Sequence, residues 1–191
     1  MANPEAVIDR YIGGGRLYFS NYNGTDYDAE VEIGEVQDVS LKIETSEADA
    51  FSKDTGVKKK VDKVVTEINS SLSFTTQNVN KENMAMAMFG DLQTETFAIG
   101  DTLPDGTVAT EEIIIPVVVG GANSIIEGKL RFVSTNVSGD SNPALIINHA
   151  FIKASGDVRN YFADSHATLS FDGEIVEMNG EYFKEYFIPK A

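Results

Sequence analysis

Apolar and polar residues alternate along two stretches between residues 36 and 76, and this alternation dominates the sequence. In the first stretch, Val39, Leu41 and Ile43 alternate with polar residues. In the second stretch, every second residue from Val64 onward forms one group: Val64, Thr66, Ile68, Ser70, Leu72 and Phe74. Because residues two apart point to the same face of a strand, the pattern predicts two half-buried strands.

Residues 44–63 connect these two strands and are predicted to form a long charged loop. Five of the fifteen basic residues of the chain lie within it: Lys53, Lys58, Lys59, Lys60 and Lys63. Long loops inside compact domains are usually functional or disordered. We expect this loop to contact an acidic surface. The alternative is a solvated loop that only keeps the hairpin soluble.

Acidic residues alternate with apolar ones over residues 27–36, which predicts a further strand carrying Asp28, Glu30 and Glu32. The whole chain has thirty acidic and fifteen basic residues, for a formal net charge of −15 at pH 7. Such a surface repels DNA and anionic membranes, which argues against a phosphate-binding protein. A second copy of the chain is therefore the economical partner for the basic loop. Head-to-tail contacts of this kind propagate into stacks or filaments.

The rest of the chain predicts short strands and one helix. The helix is expected over residues 80–89, with Asn80 as its N-terminal cap and Gly90 as its C-terminal cap. Further strands are predicted at 16–20, 111–119, 125–133, 144–154 and 167–171, a loop at 139–143, and a tight turn or bulge at 172–173. Several short strands with a single helix predict an all-β sandwich or barrel.

The predicted domain covers residues 17–178 and is flanked by two arms. The N-terminal arm, residues 1–16, contains a run of three glycines that would form a flexible joint. The C-terminal arm, residues 179–191, carries five large apolar side chains, which we expect to dock on the body or on another subunit.

Residues suited to catalysis or metal binding are sparse. The chain has no cysteine, and its two histidines, His149 and His166, cannot build a His-rich metal centre. His149 could act as a general base, but no motif places a nucleophile, so a structural role is favoured. We therefore predict no catalytic, cofactor or metal site. The first ten residues lack the pattern of a secretory signal, which favours synthesis in the cytoplasm.

The segment from Gly34 to Asp91 resembles the tail tube (major tail) proteins of long-tailed bacteriophages. The resemblance lies in the order of features: a strand, a charged loop, a lysine-containing strand and a short helix ending in a glycine. Residues 143–178 are similar to the closing strands of those proteins. The resemblance implies a β-sandwich or barrel with a long inter-strand loop and terminal arms, related to the tube protein of type VI secretion systems.

The resemblance also implies a function. Hexameric rings would stack into a hollow tube in the phage tail of the virion and conduct DNA into the host cell. The five loop lysines become candidates for contacts between rings, and the acids of residues 28–32 are one possible lumen-facing set. Tape measure, tail terminator and distal tail proteins become expected partners, and DNA would pass without specific binding.

Two alternatives stay open. One is another ring-forming or decorating assembly protein, such as a type VI-like tube protein, a tail terminator or a capsid decoration protein. The other is an enzyme or ligand-binding barrel whose site has no recognisable motif.

Overall fold

Nine strands and one short helix make up the part of the chain that the computed structural model describes, namely residues 13–54, 56–136, 138–158 and 166–190. In chain order they are β1 (Gly13–Asn21), β2 (Val31–Ser52), β3 (Lys59–Thr76), α1 (Lys81–Ala87), β4 (Asp91–Phe97), β5 (Ile113–Val119), β6 (Ile126–Asn136), β7 (Ser141–Ala154), β8 (Leu169–Ile175) and β9 (Phe183–Pro189). The predicted all-β class with one short helix is confirmed.

Six of the strands close on themselves as an antiparallel barrel. Their order is β6-β1-β2-β3-β8-β7, and β7 pairs back onto β6. Strand β7 is long enough to have two neighbours along its other edge: its residues 150–154 pair with β8 and its residues 141–147 pair with β9. Strands β4 and β5 form a separate two-stranded sheet. Closure gives most barrel strands a partner on both sides near the core.

Only the later part of the alternation predicted for β3 faces the barrel interior, since Val64 and Ile68 are exposed and Ser70 onward is buried on one parity. Ile43 of β2 is exposed as well. Leu72 and Phe74 of β3 and Leu169 and Phe171 of β8 are all buried. The rings of Phe74 and Phe171 stack with their centroids 4.9 Å apart and their planes 20° from parallel. Helix α1 covers part of the barrel with buried methionines, so its apolar surface packs on the sheet.

The N-terminal cap of α1 is the predicted Asn80, but its C-terminal cap differs from the predicted one. The Asn80 side chain accepts a hydrogen bond of 2.7 Å from the backbone N–H of Asn83. At the other end, Phe89 adopts a positive φ of 50°. The backbone N–H of Gly90 donates to the carbonyl of Ala85 at 2.8 Å. This arrangement is a Schellman motif with Phe89, and not Gly90, in the left-handed position.

Gly90 is required for a different reason, which yields a prediction. A Cβ at this position would lie 2.7 Å from the carbonyl oxygen of Val119, a backbone atom that cannot swing away. We expect Gly90→Ala to lower the free energy of unfolding by about 1–3 kcal/mol, because the helix must shift away from β5. Urea unfolding measures the loss. Gly14→Ala is the control, since a Cβ there meets nothing within 4 Å, and an equal loss in both variants would contradict the steric explanation.

The predicted loop at residues 44–63 is wrong. Strand β2 continues to Ser52 and β3 begins at Lys59, so the connection is confined to residues 53–58. Pairing runs from Glu44 opposite Asn69 to the last pair before the loop, interrupted by two bulges. The pattern misled because charged residues face each other across the strands here, and cross-strand ion pairs support a ladder without apolar alternation.

The ends of the predicted domain are also corrected. Residues 13–16 belong to β1 and pair with β6, so the glycines are strand residues and not a joint. Residues 1–12 of the predicted arm lie outside the described residues. Within the predicted C-terminal arm, Phe183–Pro189 form β9, which pairs with β7 of the same chain, but the side chains of Tyr186, Phe187 and Ile188 stay exposed.

Four local predictions change as well. Residues 141–143, expected to lie in a loop at 139–143, belong instead to β7, because they pair with β9. Residues 172–173 form neither a turn nor a bulge but lie within β8 in unbroken register with β3. The acidic strand begins only at Val31, as the first part of β2. Strand β4 was not predicted, because nearly all of its side chains are exposed and no apolar face marks it.

Candidate assembly surface

The two longest strands run on together past the rest of the barrel. Strand β1 pairs with β2 only as far as Glu35, and β8 pairs with β3 only from Ser70 onward. Within residues 44–69, which we term the hairpin extension, β2 and β3 pair only with each other in the described structure. The hairpin extension contains nine residues of β2, and at about 3.3 Å for each residue its strands are roughly 30 Å long.

The hairpin extension exposes several large apolar side chains. They occur on both strands and in the connecting loop: Phe51, Val57, Val61, Val64, Val65 and Ile68. The most exposed is Val57, at 63%. A lone two-stranded hairpin is marginally stable in water. Exposed apolar groups on such a ribbon therefore indicate a surface that gains stability from a partner.

Two of the predicted contact lysines are neutralised within the hairpin extension. Lys60 forms an ion pair with Asp49, and Lys63 forms one with Glu47, in each case across the strands. Both lysine side chains stay about half exposed, so the five lysines remain predicted contact residues. Lys59 begins β3 opposite Ser52.

The remaining two lysines lie at the end of the ribbon, which we term the hairpin tip and define by Phe51, Lys53, Val57 and Lys58. The Lys58 Nζ lies 4.0 Å from the centroid of the Phe51 ring, a cation–π contact. Lys53 has no ion-pair partner among the described residues. The tip thus combines two apolar side chains with two cations available for an outside contact.

The predicted acidic set lies at the other end of β2. Arg131 donates to Glu30 through two nitrogens: Nε lies 3.0 and 3.1 Å from the two carboxylate oxygens, and Nη2 lies 2.5 Å from Oε2. Glu32 forms a looser pair with Arg16 at 3.3 Å. Asp28 accepts hydrogen bonds from the side chains of Asn21, at the end of β1, and Asn23, in the turn that follows. The structure therefore brings these acids together but pairs two of them with arginines, far from the hairpin tip.

The hydrogen bond from Arg131 lowers the pKa of Glu30, with a smaller contribution from the charge of the same arginine. A depressed folded-state pKa means that the ionised carboxylate stabilises the fold. That stabilisation is complete above the ordinary value of 4.5 and is lost as the pH falls through the lower folded-state value.

We expect Glu30→Gln to cost about 0.5–1 kcal/mol of unfolding free energy at neutral pH, a small value because solvent screens this partly exposed pair. The difference from the wild type should shrink as the pH is lowered below 4.5. Urea unfolding across this pH range measures both effects. Glu32→Gln, which removes only a single long contact, is the matched control and should cost less. A Glu30→Gln difference that grows in acid would contradict the assignment.

A cleft of about 600 Å³ opens where the hairpin extension leaves the barrel. Its walls come from β1, β2, β6, β7 and β9, and most of the lining side chains are apolar: Val39, Leu41, Phe132, Leu145 and Phe187. Asp38 and Glu185 add two carboxylates to the lining. The sequence offered no signal for this cleft, because its walls come from five strands spread along the chain.

His149 lies in β7 and is hydrogen-bonded through both ring nitrogens. Its side chain is 12% exposed. Its Nδ1 lies 3.0 Å from the Tyr27 hydroxyl and its Nε2 lies 3.2 Å from a carboxylate oxygen of Glu127. Burial raises the pKa of Tyr27, whose hydroxyl also donates to the carbonyl of Asn148. The Nδ1 contact therefore joins the segment before β2 to the barrel, and the Nε2 contact joins β7 to β6.

Two features are absent from the part of the chain that the structure describes. No group of three His, Cys, Asp or Glu side chains there is placed to hold a metal ion. No helix in that same part is both long enough and apolar enough to cross a membrane.

Comparison with curated proteins finds no match. One family, described as protein of unknown function UCP028589, matches residues 10–126. The match includes all of the hairpin extension and α1, and it ends at the first residue of β6. Since it covers more than half of the sequence, the chain belongs to the family described as protein of unknown function UCP028589.

Proposed function

We propose that this protein is a structural subunit of the hollow tail tube of a long-tailed bacteriophage, located in the virion. Hexameric rings of the protein stack into a tube that conducts DNA into the host cell. One observation carries the proposal: the hairpin extension, an uncovered ribbon, lies within the segment from Gly34 to Asp91 that resembles tail tube proteins.

Unpaired strand edges support an assembly role. In the described structure, β2 has no neighbouring strand on its outer edge beyond Glu35, β3 has none over residues 59–69, where only the Tyr182 hydroxyl donates to the carbonyl of Ile68, and β9 pairs only with β7. Exposed edges of this length are templates for pairing with another chain, and natural monomers usually cover or shorten them. A protein that keeps three such edges together with exposed apolar side chains is suited to binding copies of itself.

The charge of the chain suits a conduit for DNA. A net charge of −15 repels phosphate, so DNA would slide past the wall without being held. Asp28, Glu30 and Glu32 remain a possible lumen-facing set, although the arginine partners of two of them weaken their field. Tape measure, tail terminator and distal tail proteins would be further partners of the tube.

Sedimentation velocity across a wide range of protein concentrations tests the proposal. We expect hexamers and larger species whose proportion rises with concentration. Rings that never grow further would favour a ring-forming or decorating assembly protein instead. A monomer at every concentration would contradict self-assembly in solution.

A further inference from the structure

We propose that the hairpin tip of one copy docks in the cleft at the base of the hairpin extension of a second copy. The inference rests on the proposed function, because it requires copies of the chain to associate. It deepens that function by naming the two surfaces that meet.

The hairpin tip has the chemistry of an insertion element. Phe51 is 48% exposed and Val57 is 63% exposed, so both present apolar surface at the end of the ribbon. Lys53 and Lys58 flank them, and Lys58 lies against the Phe51 ring. Inserting this tip would remove two large apolar groups from water while leaving two cations to meet the rim of a pocket.

The cleft has the complementary chemistry. Its volume of about 600 Å³ lies within the range of pockets that enclose a compact apolar group. Val39, Leu41 and Leu145 form aliphatic walls that suit an aromatic ring and a valine. Asp38 and Glu185 have no ion-pair partner in the described part of the chain. The two carboxylates of the cleft are therefore free to form ion pairs with the two lysines of the hairpin tip.

A hairpin tip that occupies the cleft must belong to a second copy. Leu41 lines the cleft at the base of the ribbon, while Phe51 lies at its end, roughly 30 Å away along a paired ladder. The tip cannot reach the cleft of its own chain without breaking that ladder.

Another exposed apolar segment fits less well. The loop between β4 and β5 exposes Ile99 and Val108, but it has no lysine or arginine and carries Asp101 and Asp105. The carboxylates of the cleft would repel this loop. Charge therefore selects the hairpin tip over the β4–β5 loop as the occupant.

Disulfide trapping between two single-cysteine variants tests the contact, because the natural sequence has no cysteine. Val57→Cys places a thiol on the tip and Phe187→Cys places one in the cleft lining, and both positions are exposed. When the two are mixed with one of them mass-tagged and then oxidised, we expect a mixed disulfide dimer. A mixture of Ile99→Cys and Phe187→Cys is the control and should give little of the mixed disulfide dimer. An equal yield from the control would overturn the inference.

Charge exchange gives a second, independent readout. Lys53→Glu with Lys58→Glu, or Asp38→Lys with Glu185→Lys, should each raise the critical concentration for assembly by at least about tenfold, because each places like charges in contact. Combining all four changes should restore assembly. Filaments from every variant at the wild-type concentration would refute the docking contact and leave the proposed function standing. A wild-type protein that never associates would refute both.

Discussion

Deleting residues 46–67 and joining Thr45 to Ile68 through Asn-Gly should leave a folded barrel that no longer assembles. Thr45 and Ile68 are opposite each other in the register, so a two-residue turn can close the shortened hairpin. Asn-Gly favours the type I′ turn that matches the twist of such strands. None of the buried core side chains of the described structure lies within the deleted segment. The barrel should therefore keep its stability, while the ribbon that we propose binds a second copy is gone.

Two measurements on the same preparation separate these outcomes. Thermal unfolding should show a cooperative transition close to that of the wild type, and sedimentation should show no hexamer or larger species. Ile99→Ser is the control, because it removes an exposed apolar side chain outside the hairpin extension. It should assemble normally. A truncated protein that still forms rings and tubes would show that the hairpin extension is dispensable.

Phe171→Ala should lower the free energy of unfolding by about 3–5 kcal/mol, the largest stability effect that we expect from one substitution. Phe171 is 1% exposed and stacks on Phe74 at a centroid separation of 4.9 Å. Removing the ring leaves a cavity between β3 and β8, where closed-barrel packing gives the neighbours little room to collapse. Urea unfolding measures the loss.

Phe187→Ala is the matched control for this prediction. It removes the same ring from β9, where the side chain is 63% exposed, and should change the free energy of unfolding by less than about 0.5 kcal/mol. Because Phe187 also lines the cleft, the variant should weaken assembly while keeping its stability. A similar loss of unfolding free energy in both variants would contradict the assignment of Phe171 to the core and of Phe187 to the surface.

The fold class and α1 could be predicted because short-range patterns determine them. Alternation in β3 and β8 put Phe74 and Phe171 inside, and Asn80 capped the helix as its side chain allows. The hairpin extension was mistaken for a loop because Asp49 and Glu47 pair with lysines across the strands. A pattern search that weighs only apolar residues cannot detect a strand supported by ion pairs.

The candidate surface was predicted only in part. The lysines cluster in sequence, but the sequence did not show that Lys60 and Lys63 pair with acids across β2 and β3. Arg131, which holds Glu30, lies about a hundred residues away in sequence and gave no local signal. The cleft is a product of tertiary structure alone, since its residues meet only when the barrel closes.

Negative-stain electron microscopy of the concentrated protein tests the proposed tail tube most directly. We expect hollow filaments with a regular axial repeat, built from stacked six-membered rings. Single compact particles under every condition, including in the presence of intact phage tails, would contradict the proposal that this chain builds a tube.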